Sequence, residues 1–90
     1  MKVENMTSNN GNKIANQFII YDNENNCTYF QSYDSIIIQK IENECFIYLD
    51  EKYWNYSKTT SKYRNKFLNM TTKEIENAIK DNTILLINLN

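Results

Sequence analysis

Apolar residues come in short, β-rich runs through the first half of the chain and switch to a helical period in the second. Residues 17–22 (QFIIYD) and 27–31 (CTYFQ) flank Asp22-Asn23-Glu24-Asn25-Asn26, a cluster of turn formers, and this predicts a hairpin. Residues 35–41 (SIIIQKI) and 45–50 (CFIYLD) are joined through Glu42-Asn43-Glu44 as a second hairpin. Four such runs in succession predict an antiparallel meander.

Past Asp50 the alternation stops. Tyr53, Trp54 and Tyr56 sit among polar residues in what reads as an irregular loop. Thr60 or Ser61 is the expected cap of a helix running to about Asn69, with Tyr63, Phe67 and Met70 at i, i+4 and i+7. Thr71-x-x-Glu74 is a capping box ahead of Ile75, Ala78 and Ile79, a second helix that ends near Asp81-Asn82. Residues 83–89 (TILLINL) form a further strand. The predicted order is ββββ-αα-β: an α+β single domain over residues 13–90, an antiparallel sheet of about five strands with two short helices on one face. Residues 1–12 lack periodicity and are expected to be a disordered or loosely attached arm.

Ninety residues allow one hydrophobic core and no second domain. Proline is absent and Gly11 is the only glycine, so the turns must lean on asparagine and aspartate, which tolerate left-handed backbone. No apolar run approaches the ~18 residues of a membrane span, and the first twelve residues hold no signal-type apolar stretch. A cytoplasmic location with no membrane partner is expected.

The net charge of −1 provides no global field, but the charges are segregated. From Asp22 to Glu51 there are seven acids against Lys40 alone; from Lys52 to Lys73 there are six bases and no acid. Asp22, Glu24, Glu42 and Glu44 all fall in predicted turns and would form an acidic patch if both turns project from one sheet edge. Such residues also serve simply to keep turns hydrated and sheet edges soluble.

Histidine is absent, which removes the commonest general base and the commonest metal ligand. No glycine-rich phosphate loop exists, and Glu74 and Glu76 are two apart and face different ways. Cys27 and Cys45 lack CxxC spacing and an activating histidine, which favours two small buried side chains over a redox pair. The expectation is a protein that is not an enzyme and needs no cofactor or metal.

The unusual stretch is Tyr53 to Phe67, YWNYSKTTSKYRNKF. Its candidate contact residues are Trp54, Tyr56, Lys58, Lys62, Arg64 and Lys66. Bases and hydroxyls could meet phosphates while Tyr or Trp stacks on bases. Trp, Tyr and Arg equally dominate protein interfaces. The plainer alternative has Trp54, Tyr63 and Phe67 completing the core while the lysines solvate the outer helix face.

Three strings, NQFII (from Asn16), FQSYDSI (from Phe30) and LDEKYWNYSKTTSKYRNKFL (from Leu49), resemble a family of small uncharacterised proteins of phages and other mobile elements of AT-rich bacteria. The likeness extends from Asn16 to Asn90. In its relatives a glycine often fills the turn occupied here by Glu42-Asn43-Glu44. The resemblance implies a protein-binding inhibitor with an anti-defence role, of the anti-CRISPR kind, that occludes a host protein such as a CRISPR effector. The alternative is a nucleic-acid-binding accessory protein using residues 53–67. A homodimer paired through the edge strand is a third option.

Overall fold

The computed structural model describes residues 1–44 and 46–90, in the order β1 (Lys2–Thr7), β2 (Lys13–Asp22), β3 (Cys27–Ser32), β4 (Ser35–Ile41), β5 (Phe46–Asp50), α1 (Lys58–Leu68), α2 (Thr72–Lys80) and β6 (Ile84–Ile87). The α+β class and the central meander agree with the sequence pattern. All six strands form one sheet in chain order. Two expectations are corrected. Among the described residues the strands number six, not about five, because Lys2–Thr7, inside the segment expected to be a loose arm, pairs antiparallel with β2. The sheet is not wholly antiparallel, because β6 runs parallel to β5. The helical crossover between them returns the chain to the end where β5 began, as a parallel neighbour requires.

Alternation divides the sheet into two faces. Ile19, Phe30, Ile38 and Leu49 lie opposite one another across β2 to β5 and form the core side with Met6, Ile75 and Ile84. A bulge between Phe30 and Gln31 lets Ile37 join Ile38 among the fully buried residues. From α1, Phe67 stacks on Phe30 with ring centroids 5.9 Å apart. Ile75 of α2 is wholly buried in the same cluster.

The capping box forms as expected: the Glu74 amide donates to the Thr71 hydroxyl at 3.1 Å and the Thr71 amide to the Glu74 carboxylate at 2.9 Å. That contact holds the Glu74 carboxyl below the ordinary value. The first helix starts earlier than expected. Ser57 is its cap, accepting from the Thr60 amide at 3.1 Å. Thr60 lies inside the helix, buried, its hydroxyl 2.8 Å from that of Ser32. Among the described residues asparagine fills four of the five non-glycine positions with positive φ (Asn16, Asn26, Asn69 and Asn82), as a chain poor in glycine demands.

Candidate functional site

The segment from Asp50 to Lys66 is built on one buried carboxylate. Asp50 closes β5, and its Oδ2 accepts from the amides of Lys52 at 3.0 Å and Tyr53 at 2.9 Å. Its Oδ1 accepts from the Leu89 amide at 2.8 Å. Burial pushes the Asp50 carboxyl up, but these hydrogen bonds outweigh it and hold the group below its ordinary value. The loop is thereby fixed to the sheet at its first turn.

Arg64 is fixed at the other end, fully buried on the inner side of α1. Its Nη1 donates to the Trp54 carbonyl at 2.7 Å and to Asn55 Oδ1 at 3.1 Å. Nε and Nη2 donate to Asn65 Oδ1 at 3.1 and 2.9 Å, and Nη2 also to Thr72 Oγ1 at 3.1 Å. The guanidinium lies 5.2 Å from the Trp54 ring centroid. All these partners are neutral, so burial lowers the Arg64 pKa, and the more distant Glu76 charge opposes that shift. The sequence expectation that Arg64 is a contact residue is corrected: every arm of its fork is engaged inside, joining the loop, α1 and the start of α2. Trp54 is half-buried and packs on the core with one side under Arg64.

The other expected contacts do face outward. Lys58, Lys62 and Lys66 are exposed at four-residue spacing, while Thr60 and Arg64 occupy the inner side of the same helix. Lys58 and Lys62 line an open cleft of about 540 Å³ with Tyr56, Ser57, Ser61 and Asn65. Tyr56 is exposed, its ring edge-on to Tyr53 at 5.5 Å. Lys66 is partly engaged, donating to the Thr7 carbonyl at 2.6 Å. Among the described residues the one ion pair is Lys2–Glu4, so the lysines of α1 hold no carboxylate.

A family match spans residues 1–83, from β1 through the end of α2, and so takes in the whole of this site. The chain belongs to DUF8033, a family of unknown function. No curated protein and no solved structure matches it. The DUF8033 match also includes β1, the strand that the sequence pattern does not reveal.

The acidic turns do come together. The β2–β3 and β4–β5 turns lie at one end of the sheet, where the Glu42 amide donates to the Asn26 carbonyl at 2.9 Å. Glu24, Glu42 and Glu44 are exposed there. Asp22 is not part of an outward patch. The Asn25 side-chain amide donates to it at 2.8 Å and holds its carboxyl below the ordinary value, so it serves the turn. Glu42 in turn accepts from the Thr28 hydroxyl at 2.9 Å. This acidic end lies opposite the end where β5 finishes and the basic segment begins.

Cys27 is buried beside Tyr29 on the sheet, remote in sequence from the basic segment; Cys45 lies outside the described residues. Among the described residues no group of three or more acidic or cysteine side chains could hold a metal, and no helix is long and apolar enough to cross a membrane. The Arg64 partners Asn55, Asn65 and Thr72 escaped the sequence reading. One signal was available: nine lysines and a single arginine mark Arg64 as a place where a planar fork is needed.

Proposed function

We propose that the chain is a non-enzymatic protein-binding module that acts by covering a site on another protein. Its contact surface is Tyr56 with Lys58 and Lys62, extended by Lys66. The carrying observation is that the two lysines stand exposed and without a carboxylate beside a cleft rimmed by an exposed tyrosine. An acidic partner surface would find complementary charge there, with the tyrosine as an amphipathic anchor. Arg64 and Asp50 give that surface a rigid support, so little ordering is lost on binding.

In this reading the role is anti-defence, of the kind played by phage and mobile-element inhibitors, with a host effector, such as a CRISPR nuclease, as the protein covered. The acidic end, with Glu24 and Glu44, offers a second contact for a basic channel. The test is binding to purified candidate effectors, with effector activity measured beside it, for the native chain and for Lys58→Glu/Lys62→Glu. Native binding and inhibition that the double variant loses support the proposal. A native chain that leaves every effector active removes it.

Nucleic acid is the second reading, favoured by Ser57 and Ser61 sharing the cleft with both lysines. It ranks lower because Trp54 is covered by Arg64, which leaves Tyr56 as the exposed ring in the segment's loop. Gel shifts at ~50 mM salt decide it, since phosphate binding strengthens as counterions are diluted.

A further inference from the structure

Both helices pack on the side of the sheet that carries Phe30, Ile38 and Leu49. The opposite side is covered by no element among the described residues. The strand register places Val3, Ile20, Tyr29, Gln39, Tyr48 and Leu85 in one row on that side, crossing all six strands without a charged side chain. Phe46 stacks on Tyr48 in the neighbouring row, with ring centroids 6.3 Å apart. Val3 is 62% exposed and Phe46 44%. A two-layer fold in contact with water would be expected to alternate apolar-in with charged-out. Here five of the six residues in that row are apolar or aromatic on the side away from the core.

We infer that the helix-free face is a homodimer interface, on which a second copy of this chain stacks face to face. Three observations favour a copy over another partner. The central row carries no charge, and the carboxylates at the two ends of the same face, Asp22 and Asp50, are buried in local hydrogen bonds, so two copies bring no exposed like charges together and the row offers nothing for a charged surface to pair with. Its middle polar group is already partnered within the sheet, because Gln39 Nε2 donates to Tyr29 Oη at 3.2 Å and to Cys27 Sγ at 3.7 Å, which lowers the cost of covering it. The size also fits. Six strands ~4.8 Å apart and roughly five residues long at ~3.3 Å each make a face on the order of 500 Å². Two copies then bury about 1,000 Å², the lower bound for a biological interface and the size of a weak, concentration-dependent one. Sheets of one twist stack about 10 Å apart at roughly −30°, and a two-fold axis makes the contact self-complementary.

This arrangement differs from edge pairing through β6 and from the lysine surface on the far side. Sedimentation equilibrium of the native chain from about 1 to about 200 µM tests it. The expected mass rises with concentration from 10.8 kDa towards twice that value. Ile20→Lys and Gln39→Lys should each raise the dissociation constant by more than about tenfold, because each places two like charges in the interface. Gln39 lies outside the helix-packed core cluster, and Gln39→Lys gives up only side-chain contacts to Tyr29 and the buried Cys27, so its circular dichroism should match the native chain. Lys62→Glu should leave the dimer unchanged. A monomer at every concentration overturns the inference, and so does a dimer indifferent to both sheet substitutions. Hydrogen exchange that finds the outward-pointing β6 amides protected by dimerisation, with the central strands unchanged, also overturns it, since that pattern belongs to edge pairing and not to face stacking.

Discussion

Arg64 lies over the indole of Trp54, 5.2 Å from the ring centroid, and donates to the carbonyl of the same residue at 2.7 Å. One side chain thus holds both the backbone and the ring of the loop that leads into α1. The planar fork also reaches Asn65 and Thr72, which a lysine cannot match in geometry. Arg64→Lys is expected to cost about 2 kcal/mol of stability by denaturant unfolding. The native emission of Trp54 should shift to the red as the ring loses its cover. A loss below about 0.5 kcal/mol would show that the buried fork is dispensable.

Asp50 gives the fold a defined response to acid. Its folded pKa lies below the unfolded value of about 3.9, so the stability it contributes is fully present above that value. It is lost as pH falls through the folded pKa. Asp50→Asn should therefore destabilise the protein by about 2 kcal/mol at pH 7. Below about pH 4 the gap to the native chain should narrow. Thermal melts of both proteins from neutral pH into the acid range measure this, and a constant gap would mean the ionised carboxylate is not what holds the loop.

The middle strands were legible because burial on one face imposes alternation, and residues 17–50 alternate around asparagine-rich turns. β1 was not, because KVENMT holds only Val3, Met6 and polar residues; its pairing with β2 and the burial of Met6 define it. The cap of α1 was misplaced because Ser57, Thr60 and Ser61 are chemically alike as caps. Only the contact of Thr60 with Ser32, 28 positions away, separates them. The direction of β6 is likewise set by how two helices carry the chain back. Within the site, the outward placement of the lysines on the helix was legible only as the plainer alternative, and Lys58 fell in the predicted loop because the helix was expected to start later. Arg64 was misread because a positive charge in a polar stretch suggests solvent, and its neutral partners lie up to ten positions away.

Tyr33 offers a test of backbone strain. It opens the β3–β4 turn with φ of 56°, a left-handed conformation that its Cβ disfavours, and its side chain is exposed. Tyr33→Gly is expected to stabilise the fold by about 1 kcal/mol, seen as a raised melting temperature. The Tyr33 amide should keep its 2.7 Å bond to the Asn16 carbonyl, since glycine has the same amide. An unchanged or lowered melting temperature would mean that the ring's contacts outweigh the strain.

The most direct test of the proposed contact surface is isothermal titration of an effector that the native chain inhibits, at ~50 and ~300 mM salt, with Lys58→Glu/Lys62→Glu as comparison. The double variant should weaken binding by about tenfold or more at low salt, with the difference shrinking at high salt and the melting temperature unchanged. Equal affinities for the two proteins at low salt would contradict the assignment of the α1 lysines as the surface that binds.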